Sequence, residues 1–186
     1  MEQNFSKIIK NIILFGLLSS LLGILKNYII LDVFDDDVKN IAGLSSYTSL
    51  FVSIIISCIV LALVSFICFI IIDLFELKVK AIEFSSSFIN FIYALILAEI
   101  IKAFLVVFVL NDELNDLIVD ETFNEQFSNT NWYFLNYITE NVSIIIGILI
   151  FILSFKELTQ TNKLLQVVLL SFIIAISLFI SNMEWI

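Results

Sequence analysis

Five long apolar runs restrict this chain more than any other feature. A bilayer core is crossed by about 20 consecutive apolar residues in helical form. Runs of that kind cover residues 8–31, 50–73, 86–110, 133–155 and 164–182. Of the 186 residues, 61% are hydrophobic and only 15% charged, and the mean hydropathy is +1.09. A soluble domain is nearer half apolar and a quarter charged, and a chain this short has no interior large enough to hide the surplus. The expected fold is all-α: a polytopic membrane helix bundle of five transmembrane helices, forming one integral membrane domain over residues 1–186. No repeat, linker or second domain interrupts it.

The lysines orient the bundle. Lys7 and Lys10 precede the first run, Lys78 and Lys80 lie between the second and third, and Lys156 and Lys163 lie between the fourth and fifth. The alternate connections are acidic. LDVFDDDVKN sets four Asp against Lys39, and the loop 111–132 holds Asp112, Glu113, Asp116, Asp120, Glu121 and Glu125 with no lysine. The positive-inside rule then places the N-terminus in the cytoplasm and the C-terminus outside. The first run is long and no A-x-A-like cleavage site follows it, so it reads as a retained span. In the outer acidic loop, Leu114, Leu117, Ile118 and Val119 fall near helical spacing, as for a short amphipathic helix at the interface. Trp132 and Tyr133 fit the aromatic boundary that follows it.

Local signals are few. There is no proline and there are four glycines, which predicts straight, unbroken helices. Gly16 and Gly23 share one face of the first span, and Gly147 lies in the fourth, each suited to close helix approach. Ala94 and Ala98 form a small-xxx-small pair in the third. DLFELKVKAIEF, residues 73–84, reads as an interfacial helix, with docking of a partner as the alternative. DVFDDD lacks the Gly and terminal Glu of a calcium loop, so it reads as a solvated acidic turn.

The run YALILAEIIKAFLVVF, residues 93–108, contains Glu99 and Lys102. At i and i+3 the two neighbour each other on a helix face and can pair. A charge at mid-membrane costs from about 3 kcal/mol upward, so such groups face the protein interior or a watery cavity. Lys102 lies about 12 Å below the outer end of its span, and Glu140 about 10 Å below the start of the next, at 1.5 Å per residue. A Lys102–Glu140 contact between antiparallel spans is therefore within reach. Thr139, Asn141, Ser143 and Asn136 surround it with hydrogen-bonding groups. Glu99, Lys102, Glu140, Asn141 and Thr139 form the candidate intramembrane cluster, either a proton or ion relay or a polar clamp between the third and fourth spans.

Other chemistry is disfavoured. The absence of His removes the commonest metal ligand and acid–base group, and no nucleophile–base pair or phosphate-binding Gly loop is present. The net charge of −9 with no Arg opposes nucleic-acid binding. Cys58 and Cys68 lie ten apart, about 15 Å along a helix, too far to bond to each other. The chain reads as a non-enzyme without cofactor or metal.

Three stretches give a family resemblance. KVKAIEFSSSFINFIYALILAEI leads through Ser and Phe into a helix with the Tyr93-Ala94 pair. FKELTQTNKLLQVVLLSF forms a tight loop with a basic residue before an apolar helix. The spacing of the spans is the third element. Together they resemble the bacterial form of the Yip-domain family, although that family often has a proline shortly after the position of Tyr93, which this chain lacks. The resemblance implies five spans and a non-enzymatic role beside transport or trafficking systems. The expected function is an accessory or scaffold subunit of a membrane transport, export or trafficking system, in the bacterial cytoplasmic membrane. Its expected partners are the lipid bilayer and another membrane protein or a second copy. The alternatives are a small transporter or channel using the Glu99–Lys102 pair, and a bacteriocin-type immunity protein.

Overall fold

A computed structural model of the chain describes residues 2–32, 34, 36–114, 117, 123–155 and 161–182. All the regular structure in these residues is helical. The long helices are α1 (Glu2–Leu31), α2 (Asp36–Leu74), α3 (Ala81–Leu105), α6 (Asn131–Leu153) and α7 (Thr161–Asn182). Short α4 (Asn111–Leu114) and α5 (Phe123–Ser128) lie between α3 and α6. Four stretches are long and apolar enough to cross a membrane: Gln3–Leu31, Ala42–Leu74, Ala81–Leu114 and Asn131–Leu153. Against the expected five, α7 contributes a shorter apolar stretch among the described residues, Lys163–Leu178.

Three expectations are corrected. First, α2 starts at Asp36, so most of the acidic segment before residue 50 is helix rather than loop.

Second, residues 75–80 form a turn and not an interfacial helix. The Leu77 N–H bonds to the Ile72 carbonyl at 3.0 Å and the Glu76 N–H to that of Asp73 at 3.3 Å. This is the crossed pair of bonds that ends a helix on a left-handed residue, and Glu76 takes that role with φ 45°. Glycine is usual there, so nothing in the local sequence announces the stop. Leu77 then folds back onto the core.

Third, the third span is not a uniform α-helix. Val106–Leu110 is a π-helical turn, in which the Asn111 N–H reaches back to the Val106 carbonyl. An extra residue is thereby wound into the helix without proline or glycine.

The lysine-rich end is packed with phenylalanine. Phe69, Phe84, Phe88, Phe91 and Phe151 are fully buried. Phe84 meets Phe69 edge-on at 4.9 Å and Phe151 at 5.9 Å between centroids, and Phe5 of α1 meets Phe69 at 6.2 Å. Rings from α1, α2, α3 and α6 thus close this end. Lys163 of α7 pairs with Glu83 of α3 at 2.9 Å, and Gln166 accepts from the Lys78 N–H at 2.9 Å.

Glycines set the seams. A Cβ added at Gly147 would lie 2.8 Å from the Phe91 ring and 3.6 Å from Ala94, so α6 touches α3 through its missing side chain. Gly16 faces Cys58 and Gly23 faces Leu50, which joins α1 to α2 in the same way. Without a hydrophobic force between helices in lipid, such close approaches carry the packing. The rest of each helix presents apolar residues outward, among them Leu17, Leu21, Ile145 and Leu165.

Candidate functional site

At the acidic-loop end the five long helices separate around a chamber of about 450 Å³. That lies within the range of small-molecule sites, which is about 300–1,000 Å³. α1 lines it with Phe15, Ser19, Leu22, Gly23 and Lys26; α2 with Leu50, Ser53, Ile54, Ser57 and Leu61. α3 adds Leu95, Ala98, Glu99 and Lys102, followed by Val106 of the π turn. α6 adds Trp132, Tyr133, Asn136, Glu140, Ser143 and Ile144; Phe127 of α5 and Leu178 of α7 complete the wall.

The roof holds the mouth of this chamber in place. Val106, Leu110, Leu114, Phe123 and Trp132 form a second buried cluster, with Phe34, Phe127 and Leu117 against it. Phe34 stacks edge-on against Phe123 at 5.1 Å, tying the α1–α2 connection to α5. The first turn of α6 has backbone donors with no partner within the helix. The Thr130 hydroxyl accepts from the Tyr133 N–H at 3.2 Å. The Glu113 carboxylate accepts from the N–H groups of Asn131 and Trp132, at 3.2 and 2.9 Å, and from the Asn131 side-chain amide at 2.7 Å.

Four charged side chains, two of each sign, meet in the chamber: Lys26, Glu99, Lys102 and Glu140. Lys102 Nζ lies 2.6 Å from Glu99 Oε1, with side chains only 17% and 13% exposed. This ion pair lies within α3 and does not bridge to α6. Among the described residues, neither Lys26 nor Glu140 belongs to an ion pair. Lys26 instead sits 5.5 Å from the centroid of the Trp132 ring, an attractive cation–π arrangement. It also interacts electrostatically with Lys102, Glu140 and Glu99, so all four charges act on one space. The Trp132 Nε1–H and the Ser19 hydroxyl are buried with no hydrogen-bond partner. In a polar site, such groups are the ones a bound molecule or water satisfies.

The structure brings Glu99, Lys102 and Glu140 together in the wall, along with Asn136 and Ser143. Thr139 and Asn141 are not part of it; Asn141 turns its amide back to the Tyr137 carbonyl at 2.8 Å. Sequence reasoning passed over Lys26. It lies five residues before the end of α1, about 7 Å down at the helical rise, and the depth count applied to α3 and α6 would have found it. Of the expected loop helix, Leu114 and Leu117 are buried or half-buried in the roof, while Ile118 and Val119 lie outside the described residues. No group of three or more His, Cys, Asp or Glu suited to a metal ion occurs among the described residues. No protein-family model matches the sequence, and no curated protein or solved structure is significantly similar to it.

Proposed function

We propose that this chain is a non-enzymatic five-span membrane protein that takes a small polar solute into its charged chamber. It would work as a small transporter, or as the solute-binding accessory subunit of a transport system. The observation that carries this reading is the gathering of two lysines and two glutamates around one space inside membrane-spanning helices. Charged residues at such depth are expensive and mark solute or ion paths. A bundle that only held partners together has no use for an internal space lined with charge. The ion pair internal to α3 also speaks for this reading over a clamp. The α3–α6 seam is made by Gly147 against Phe91 and by the Asn90–Ser154 hydrogen bond of 3.0 Å.

With the lysine-rich end in the cytoplasm, as the positive-inside rule places it, the chamber belongs to the outer leaflet and the phenylalanine layer closes the inner one. α7 is then the fifth span, and a bacterial cytoplasmic membrane suits the arrangement. A membrane-impermeant thiol reagent tests this in a background carrying Cys58→Ala and Cys68→Ala. Ser143→Cys, in the chamber wall, is expected to react from the outer side. Ile145→Cys, which is 60% exposed on the lipid side, is expected not to. Equal protection of both positions overturns the reading.

A further inference from the structure

The Glu99–Lys102 pair neutralises itself at 2.6 Å and leaves one further charge of each sign, on two different helices of the chamber wall. Lys26 stands on α1 and Glu140 on α6. Neither is in an ion pair among the described residues. Both are half-buried, and a charge held away from bulk water without a contacting counter-charge is costly. A monoanion in the chamber would answer Lys26 and leave Glu140 without a contacting cation. A monocation would do the reverse. One molecule carrying an ammonium and an acidic group answers both without changing the net charge of the site.

Donor chemistry agrees at the Lys26 side. The Trp132 ring holds the ammonium of Lys26 by its face and consumes none of its N–H donors. The Trp132 Nε1–H has no partner and belongs to the same ring that Lys26 faces; the unpartnered Ser19 hydroxyl lines the chamber two turns away along α1. The Lys26 ammonium and the indole N–H beside it are donors that an acidic oxygen group can use. Eight residues along α6 from Trp132, about 12 Å at the helical rise, Glu140 offers acceptors for an ammonium.

We infer that the chamber binds a zwitterion, its acidic group toward Lys26 and Trp132 and its ammonium toward Glu140. The inference rests on the solute-binding reading above. Two sources share this chemistry: the phosphoethanolamine headgroup of a membrane lipid, and a free α-amino acid.

The chain has two tryptophans. Trp185→Phe therefore leaves Trp132 as the reporter in the full-length protein, purified in a maltoside detergent. Its fluorescence is titrated with dihexanoyl phosphatidylethanolamine, with L-alanine and with L-leucine. Dihexanoyl phosphatidylglycerol and butylamine serve as probes carrying one charge. At least one zwitterion is expected to give a saturable change, with affinity about tenfold or more above both single-charge probes. Response to the lipid alone assigns a headgroup site, and response to the amino acids alone assigns a soluble solute. Lys26→Met and Glu140→Gln are each expected to weaken binding by about tenfold or more, and the lipid-facing Ile145→Ala to leave it unchanged. Equal binding of a single-charge probe overturns the inference, as does the absence of any saturable change in protein with wild-type helix content. If Ser143→Cys still reacts from the outer side, only the zwitterion has failed. If it does not, the chamber reading has failed as well.

Discussion

The Glu113 carboxylate accepts a 2.9 Å hydrogen bond from the backbone N–H of Trp132, 19 residues further along the chain. This single side chain fastens the end of the third span to the start of α6 and positions the aromatic wall of the chamber. Loss of a helix cap costs about 1 kcal/mol, and up to about 2 kcal/mol in favourable cases. Glu113→Ala is expected to destabilise the protein by that amount in detergent unfolding, with a red-shifted Trp132 emission. Unchanged stability and emission would show that Thr130 alone caps the helix.

The ion pair within α3 makes a double-mutant cycle decisive. Lys102→Met leaves Glu99 without its partner, and Glu99→Gln leaves Lys102 without its own. Each is expected to destabilise by about 3 kcal/mol, as for other broken buried pairs. The double variant is expected to recover most of that loss. Simple additivity of the two losses would mean that the pair is not coupled.

A glycine contrast tests the helix seams. Phe91 is fully buried, so its ring has nowhere to retreat from a methyl group at Gly147. The atoms facing Gly23 are the free end of the Leu50 side chain, which is only half-buried and can swing away. Gly147→Ala is expected to cost about 1–3 kcal/mol by overpacking, and Gly23→Ala clearly less. Thermal melts of the two variants side by side decide it, and the reverse order would contradict the packing described.

Glu76 occupies a left-handed position at φ 45°, where an L-residue other than glycine pays about 1 kcal/mol or more. Glu76→Gly is expected to stabilise the chain by a few tenths to about 1 kcal/mol, since glycine's greater freedom in the unfolded chain offsets part of the relief. A lower melting temperature for Glu76→Gly would contradict the backbone conformation.

Lys163 and Glu83 form the corresponding test at the phenylalanine end. The Lys163 side chain is 6% exposed and its ion pair joins α7 to α3. Lys163→Met is expected to loosen α7 and to lower resistance to detergent unfolding by about 3 kcal/mol. Resistance equal to wild type would mean that α7 is held by its apolar face alone.

What the sequence revealed follows the physics of each signal. Apolar length marks a span on its own, so the long helices were legible to within a few residues at most of their ends. Glu99, Lys102 and Glu140 were legible because ionisable groups in apolar runs are rare, and because depth follows from counting at a fixed rise. Lys26 carries the same signal but lies near a span end, where a lysine reads as a boundary. The glycine seams could be placed on their own helices, yet only the structure names Phe91, Cys58 and Leu50 as what they face, because lipid-facing and partner-facing surfaces are equally apolar. The stop at Glu76 and the π turn at Val106–Leu110 had no sequence marker. Both depend on hydrogen bonds and packing around residues of ordinary character.

The phenylalanine layer has an electrical consequence. If the chamber opens to water as proposed, it carries the potential of that bulk phase, and the voltage across the membrane would fall mainly over the buried rings of Phe69, Phe84, Phe88, Phe91 and Phe151. That layer is much thinner than a bilayer core, and the field within it is correspondingly stronger. A unit charge carried through the full drop exchanges about 2.3 kcal/mol for each 100 mV. Glu99 and Lys102 lie about 12 and 16 Å beyond Phe91 along α3 at the helical rise, so a movement of α3 that carried them toward the rings would couple their charges to the membrane potential.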